Sequence, residues 1–152
     1  MTLERGQVAP DFELRDQHGQ TVSLSSFRAD KAVLLVFYPF AFSRVCSGEL
    51  RDLRDNWPDL APDDSQLLAV SCDPVFCLRA FAEDEGLEFP LLSDFWPHGA
   101  VSSSYGAFDR ARGCPTRSTF VIDRTGLVSW QVHNASLDAR EIGDYARVLA
   151  AF

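Results

Sequence analysis

The alternation of apolar and polar residues along the chain predicts several β-strands. Residues 33–38 form a continuous apolar run rich in branched and aromatic side chains, which is typical of a strand buried on both faces. Residues 67–71 have the same character. Two short alternating runs, at 12–14 and 21–24, flank a turn-rich segment and indicate a β-hairpin near the N-terminus.

A helical period follows the first buried strand. The apolar residues Cys46, Leu50, Leu53 and Trp57 recur at steps of four, three and four, with charged residues between them. This pattern predicts an amphipathic helix over 45–57. Pro58 follows, and we expect it to end the helix, because proline lacks the amide that a helix interior requires.

The rest of the chain continues the alternation of strands and helices. The pattern predicts a helix over 75–85 ended by Gly86, a strand at 89–92, a short helix around 97–105, a hairpin of strands 118–123 and 127–132, and a C-terminal helix from about 137 to 149. Such an order implies an α/β domain of three layers. The central strands lack polar alternation, so helices should cover both faces of the sheet. We expect residues 1–152 to form one domain.

Composition and charge narrow the possible partners. Hydrophobic residues make up 46% of the chain and charged residues 24%, which is typical of a globular protein. The net charge of −8 disfavours nucleic acid and anionic membranes as partners, because both require cationic surfaces. No apolar run approaches the roughly 18–20 residues that cross a bilayer. The N-terminus lacks the pattern of a secretory signal, so we expect a cytoplasmic location.

The four cysteines do not form a recognised metal or dithiol motif. Cys46, Cys72, Cys77 and Cys114 include no CxxC pair, the pattern typical of zinc sites and of dithiol redox centres. We expect neither a metal nor another cofactor. In a reducing cytoplasm structural disulfides are not expected, and free cysteines are usually small buried residues.

Cys46 has a position that favours chemistry. It falls in the first turn of the predicted helix, directly after a buried strand and a loop, where unpaired amides and the helix dipole favour an anion. A thiol in such a position tends to have a lowered pKa. Ser43 is an N-cap candidate whose hydroxyl could alternatively bond the sulfur. From position alone, Cys46 is interpreted either as a reactive thiolate or as an inert helix residue. Pro39 is interpreted as the residue that ends the strand, and Glu49 as a solvated helix charge.

The spacing Pro39-x-x-x-Ser43-x-x-Cys46 resembles the active-site signature Pro-x-x-x-Thr/Ser-x-x-Cys of the peroxiredoxins. Residues 9–16, 89–94 and 117–123 resemble further family segments, so the resemblance spans nearly the whole chain. The run Pro-Leu-Leu-Ser-Asp-Phe-Trp-Pro-His-Gly-Ala-Val at 90–101 looks most like the AhpE-type subgroup, the one-cysteine alkyl hydroperoxide reductases.

The resemblance implies a thioredoxin-like fold, with a central mixed sheet, helices on both faces and an N-terminal β-hairpin. It also implies a peroxidase that reduces hydrogen peroxide, alkyl hydroperoxides or peroxynitrite through a sulfenic acid on Cys46. Ser43 matches the residue that bonds the peroxide, and Pro39 the one that shields the sulfur from water. Arg117 matches the arginine that reaches thiolate and substrate, and Glu49 a glutamate that orients this region. Without the resemblance, Arg117 would be interpreted as a surface charge.

The second half of the reaction stays open at this level. In the resembled subgroup an external thiol or a redoxin reduces the sulfenic acid, but this chain also has Cys77 on a predicted helix and Cys114 just before Arg117. Either is an alternative internal resolving thiol, which would make the protein an atypical two-cysteine peroxidase. Cys72 lies at a strand end and is interpreted as core. A non-enzymatic redox sensor would need the same reactive thiolate and is a further alternative.

Aromatic residues suggest two further hypotheses. Phe95 and Trp96 are interpreted first as core, with a subunit interface as the alternative. The resemblance implies a homodimer formed through loops around the active site. Phe40, Phe42 and Phe108 would make an apolar pocket that favours organic hydroperoxides.

Overall fold

The computed structural model describes residues 3–60, 64–134 and 147–149. Within these ranges the strands are β1 (Glu13–Arg15), β2 (Thr21–Ser23), β3 (Ala32–Phe37), β4 (Ser65–Ser71), β5 (Leu91–Ser93), β6 (Phe108–Asp109), β7 (Cys114–Pro115), β8 (Arg117–Ile122) and β9 (Val128–Asn134). The helices are α1 (Arg44–Leu60), α2 (Val75–Glu85) and α3 (Ala100–Ser104), with a 3-10 turn at Leu24–Phe27.

Seven of these strands form one mixed sheet in the order β2-β1-β5-β4-β3-β8-β9. β3, β4 and β5 run parallel, whereas β8 runs antiparallel to β3 and β1 antiparallel to β5. β3 is buried along its whole length, as its apolar run predicts. Because Ser118 pairs with Phe37, the first residues of β8 lie beside the last residues of β3. This register decides which side chains meet at that edge of the sheet.

Two apolar layers hold helices on both faces of the sheet, as predicted. Alternate residues of β3 point to opposite faces, so each layer receives part of this strand. The layer under α1 and α2 includes Leu34, Val36, Cys46, Leu50, Leu53, Leu67, Leu78 and Phe81. The layer under α3 and the 3-10 turn includes Leu24, Val33, Leu35, Phe37, Leu68, Val70, Leu92, Tyr105 and Phe120. Each such large side chain stabilises the fold by about 1.5–3 kcal/mol when fully buried.

Most predicted elements are confirmed. The β1–β2 hairpin, β3, β4, the short α3 and the β8–β9 hairpin all form where the pattern indicates. α2 ends where Gly86 takes a left-handed φ of 64°, a conformation that glycine adopts without steric cost. No helix in the described part of the chain combines the length and the apolar character needed to cross a membrane.

The end of α1 differs from the prediction. The helix continues through Pro58 to Leu60. A proline costs a helix the hydrogen bond that its amide would donate four residues back, to the Arg54 carbonyl. The expectation that Pro58 ends the helix is therefore wrong. Pro58 stands in the last turn, where the loss of this one hydrogen bond disturbs few following residues.

Two smaller differences concern short strands. β5 begins at Leu91, later than the predicted start at residue 89, and the preceding Pro90 has no amide to donate to a ladder. The ribbon of β6 and β7 was not predicted, because each strand has two residues and shows no alternation.

Phe95 and Trp96 are exposed by 48% and 82%, so the interpretation that places them in the core is wrong. The predicted C-terminal helix lies mostly outside the described residues. Its residues 147–149 are helical, and Leu149 is buried in the layer under α1 and α2.

Candidate active site

The first turn of α1 holds Cys46 at the edge of the sheet where β3 ends. The chain leaves β3 after Phe37, crosses a loop and enters the helix at Arg44. The Ser47 amide donates to the Ser43 carbonyl at 2.8 Å, which closes the first helical turn around the cysteine. Amides earlier in this turn have no partner within the helix and point towards its N-terminal end. Cys46 itself is fully buried.

Ser43 stands immediately before α1, at the position of an N-cap residue. Its hydroxyl, however, caps no amide: the Oγ atom is buried and has no hydrogen-bond partner among the described residues. Leaving a buried hydroxyl unpaired costs free energy, so such a group is expected to have a ligand or catalytic role. Ser43 is also one of the residues that line a cavity beside the helix start.

The guanidinium of Arg117 contacts both the cysteine and a carboxylate. Its Nη2 atom donates to the Cys46 sulfur at 3.3 Å, and its Nη1 atom forms an ion pair with Glu49 Oε1. Arg117 is the first residue of β8 and is only 3% exposed. The pairing of β8 with β3 delivers this arginine to the cysteine across 71 residues of sequence.

Glu49 is buried, contrary to its interpretation from position alone as a solvated helix charge. It is 7% exposed and lies three residues after Cys46, so both side chains leave α1 on the same face. A buried charge is tolerated when it is paired and hydrogen-bonded, and Arg117 provides that partner.

A cavity of about 340 Å³ opens beside these residues. Its lining consists of Pro39, Phe40, Ser43, Arg44, Val45, Arg112 and Arg117. Pro39, Ser43 and Arg117 are residues that the sequence singled out. Arg44 and Arg112 are not, since exposed arginines in loops and helix starts carry no distinctive pattern. The Arg112 guanidinium lies 5.8 Å from the centre of the Phe40 ring, a cation–π arrangement at the cavity wall.

The cavity is more cationic than the sequence suggested. Of the three phenylalanines expected to line an apolar pocket, only Phe40 does so. The Phe42 ring packs on Phe81 of α2, with centroids 5.1 Å apart, and Phe108 packs against His98 at 6.0 Å. The hypothesis of a pocket formed by all three rings is therefore wrong.

The other three cysteines lie in environments that disfavour a thiolate. All four are free; Cys72 and Cys114 are buried and Cys77 is half-buried. Burial raises the pKa of Cys72 to about 12. Burial is also the main reason that the pKa values of Cys77 and Cys114 are raised, and Asp73 adds to the effect for Cys77.

No group of three or more His, Cys, Asp or Glu side chains that could hold a metal ion occurs among the residues that the structure describes. The Cys46 sulfur instead accepts a hydrogen bond from the Arg117 guanidinium, and the cysteine otherwise belongs to the apolar layer under α1 and α2. Such a site can stabilise a thiolate and polarise a small electrophile that enters the cavity.

Comparison with known proteins gives a consistent result. The model of the AhpC/TSA family matches residues 5–131. Alkyl hydroperoxide reductase E of Mycobacterium tuberculosis H37Rv is 46% identical over 98% of this chain and 97% of its own length. The chloroplastic peroxiredoxin Q of Triticum aestivum is 32% identical over 97% of this chain and 67% of its own length.

Solved structures agree with the sequence comparisons. The crystal structure of Enterococcus faecalis AhpC has a TM-score of 0.88, with 28% identity, and the match covers 99% of this chain and 92% of that one. The crystal structure of peroxidoxin BcpB from Mycobacterium tuberculosis has a TM-score of 0.77, with 30% identity, and covers 98% and 95%. The predicted thioredoxin-like fold is confirmed.

The buried ion pair gives a prediction about stability. We expect Glu49→Ala to lower the free energy of unfolding by about 3–5 kcal/mol, because it removes the carboxylate that faces a buried guanidinium. Chemical denaturation measures this change. Glu83→Ala is the matched control: its pair with Arg79 is exposed by 72% and 62% and should cost less than about 1 kcal/mol. Equal losses in the two variants would contradict the assignment of Glu49 to a buried pair.

Proposed function

Because the chain belongs to the AhpC/TSA family of peroxiredoxins and is a thiol-dependent peroxidase, we propose that Cys46 is the residue on which its reaction takes place. Family membership favours catalysis over the sensor interpretation. The observation that supports this role of Cys46 most directly is its contact with Arg117. The guanidinium of this arginine donates to the sulfur, and the same residue lines the cavity.

The proposed reaction begins with attack of the Cys46 thiolate on one oxygen of a peroxide ROOH. A sulfur–oxygen bond forms, the O–O bond breaks, and the electron pair of that bond leaves with RO⁻, which takes up a proton to become an alcohol or water. The sulfur is oxidised to a sulfenic acid, and the peroxide is reduced by two electrons. Hydrogen peroxide, alkyl hydroperoxides and peroxynitrite all have the required O–O bond.

Ionisation of the thiol does not by itself explain a useful rate. A thiol with a pKa of about 8.5 is roughly 3–7% ionised near neutral pH, so complete ionisation raises the rate only about 15- to 30-fold. Nucleophilicity falls with pKa at a Brønsted slope of about 0.4–0.5, so a fall in pKa from about 8.5 to about 6 takes back roughly 10- to 18-fold. The rate must therefore come from stabilising the transition state.

Donors around the cavity suit that task. As the O–O bond stretches, negative charge moves from sulfur to the leaving oxygen, and one well-aimed donor is worth about 10²–10³ in rate. Arg117, the free Ser43 hydroxyl and the unpaired amides at the start of α1 are the candidates. Pro39 lines the cavity beside them and excludes water from the sulfur, and Glu49 positions the arginine.

The role of Arg117 can be tested by its effect on rate. We expect Arg117→Ala to lower the second-order rate constant for hydrogen peroxide by about 10²–10³, because a donor to the transition state is lost. Stopped-flow kinetics measure this, and the pH dependence of Cys46 alkylation gives the thiolate fraction. Arg110→Ala, which changes an exposed arginine outside the cavity lining, is the control. A rate loss that merely follows the thiolate fraction would contradict the proposal.

We propose that an external thiol or a redoxin completes the cycle. One thiol condenses with the sulfenic acid, releasing water and forming a mixed disulfide, and a second thiol reduces that disulfide. The attacking species must be a thiolate, and the raised pKa values of Cys72, Cys77 and Cys114 disfavour each of them near neutral pH. These values support the one-cysteine cycle over an internal resolving thiol.

Mass spectrometry of the intact protein distinguishes the two cycles. After one equivalent of peroxide with a sulfenic-acid trap, we expect a single adduct, mapped to Cys46 by peptide analysis. The reduced protein given the trap without peroxide, and Cys46→Ser given both peroxide and trap, should give no adduct. A loss of two hydrogens without an adduct would instead reveal an internal disulfide, and the same peptide map would identify Cys77 or Cys114 as the partner.

We further propose that the protein is a cytoplasmic homodimer. Its free thiols are consistent with a reducing compartment. We propose that four exposed aromatic side chains outside the cavity lining, here called the aromatic patch, form the interface: Phe42 at 52%, Phe76 at 83%, Phe95 at 48% and Trp96 at 82% exposure. Phe95 and Trp96 line a surface cavity together with Val75 at the start of α2. Exposed aromatic side chains are enriched at protein interfaces.

The oligomeric state tests this patch. We expect sedimentation equilibrium to give a dimer for the unmodified protein, and Phe76→Glu to raise the dissociation constant by about 30-fold or more, as for an interface residue that contributes about 2 kcal/mol. A glutamate in the first turn of a helix is otherwise favourable, so folding should not suffer. Val8→Glu, at another exposed apolar position with 64% exposure, should leave the dimer intact. A dimer equally stable in both variants would exclude the aromatic patch.

A further inference from the structure

The loop between β3 and α1 decides where the reacting groups lie. It includes Pro39 and Ser43, and it leads directly into the helical turn that holds Cys46. Phe42, inside the loop, has a φ of 67°, in the left-handed region that residues with a Cβ rarely adopt. Such a conformation persists only where surrounding contacts over-determine it. Something outside the loop must therefore hold it in place.

Two contacts from the segment that follows β4 meet the loop, one at the residue before Phe42 and one at Phe42 itself. The Ala41 amide donates to Asp73 Oδ2 at 2.8 Å, across 32 residues of sequence. The ring of Phe42 packs on Phe81 of α2. Asp73 lies between β4 and α2, where the C-terminal ends of the parallel strands β3 and β4 meet at one edge of the sheet.

Asp73 is itself held in position. The Ser71 hydroxyl donates to the same Oδ2 atom at 2.7 Å, and the Ser93 hydroxyl donates to the Asp73 carbonyl at 2.6 Å. Ser71 is fully buried, so the first of these bonds is shielded from water. Hydrogen bonds to a charged acceptor are among the strong ones in proteins. The carboxylate is thus a rigid point of attachment for the loop.

We propose that Asp73 is a positioning residue for the peroxidase reaction, which holds the loop from Pro39 to Ser43 closed over Cys46 by accepting the Ala41 amide. This inference rests on the proposed role of Cys46. Asp73 does not line the cavity beside Arg117 and acts through the loop, by keeping the Ser43 hydroxyl and the first turn of α1 aligned with the sulfur.

The proposal makes two reactions of Cys46 respond in opposite directions. Reaction with a small peroxide requires the closed loop, in which the donors are aligned. Reaction with a bulky maleimide requires an open loop, because the closed one buries the cysteine completely. Loosening the loop should therefore slow the first reaction and accelerate the second.

The experiment compares Asp73→Ala with Asp73→Asn in the full-length protein. The asparagine keeps an acceptor oxygen for the Ala41 amide and loses only the charge. For Asp73→Ala we expect the rate constant with hydrogen peroxide to fall about 3- to 10-fold and maleimide labelling of Cys46 to rise about 10- to 100-fold. Asp73→Asn should recover most of both changes.

Asp123→Ala is the matched control for general destabilisation. Asp123 also accepts hydrogen bonds from backbone amides, those of Thr125 at 2.9 Å and Leu127 at 3.0 Å. It lies in the β8–β9 turn, at the opposite end of β8 from Arg117. Peptide mapping follows labelling at Cys72, Cys77 and Cys114 in the same samples. In the control, Cys46 should show no selective increase. Ser71→Ala, which removes the other hydrogen bond to Oδ2, serves if Asp73→Ala does not fold, and should give smaller changes of the same sign.

Three outcomes would overturn the inference: unchanged rates in Asp73→Ala, equal acceleration at all four cysteines, or an asparagine variant as impaired as the alanine variant. Should peroxide oxidise a cysteine other than Cys46 in the unmodified protein, the proposed function itself would fail. That result is visible in the same peptide maps and is distinct from a failure of the Asp73 proposal.

Discussion

The guanidinium of Arg117, the first residue of strand β8, ties that strand to the N-terminal part of helix α1. Arg117 donates to the Cys46 sulfur and pairs with Glu49, and all three side chains are buried. Removing an arginine from water is costly, and the paired carboxylate offsets that cost. The buried positive charge acts where the effective dielectric constant is low. Its electrostatic interaction with the sulfur, or with a small molecule in the cavity, is therefore stronger than it would be at a solvated surface.

This arrangement depends on the sheet more than on any local feature of the site. Ser118 pairs with Phe37, so the arginine that begins β8 and the loop that leaves β3 emerge side by side. β4 lies on the other flank of β3, and its continuation carries Asp73 to the same edge. The segment that holds Cys46 is therefore contacted from the side of both neighbouring strands. The two contacts differ in kind, because Arg117 donates to the sulfur, whereas Asp73 accepts from the loop that leads to it.

Net charge and local charge have opposite signs in this molecule. The chain carries a net charge of −8, yet Arg44, Arg112 and Arg117 line the cavity, and no acidic residue of the described ranges does so. The overall charge concerns solubility and disfavours anionic macromolecules as partners. The charge that matters to a small oxidant is that of the side chains a few ångströms away, and composition contains no information about their placement.

Periodicity along the chain was sufficient for the elements that local patterns encode. It placed the buried strand β3, the hairpin β1–β2, the helix α2 with its end at Gly86, and Cys46 in the first turn of a helix. These features follow from repeats of two or 3.6 residues and from the backbone freedom of glycine, which are properties of neighbouring residues. The resemblance of the Pro39, Ser43 and Cys46 spacing to a known family then suggested the chemistry.

Only the tertiary structure decided what each side chain faces. In the tertiary structure Glu49 is buried and Arg117 contacts the Cys46 sulfur. The Ser43 hydroxyl caps no helix amide, and Phe95 and Trp96 are exposed to solvent. Each of these outcomes depends on contacts between segments far apart in sequence, through strand register and helix packing. A local pattern shows that a residue is charged or apolar. Whether its side chain is buried or exposed depends on which distant segments of the chain pack against it.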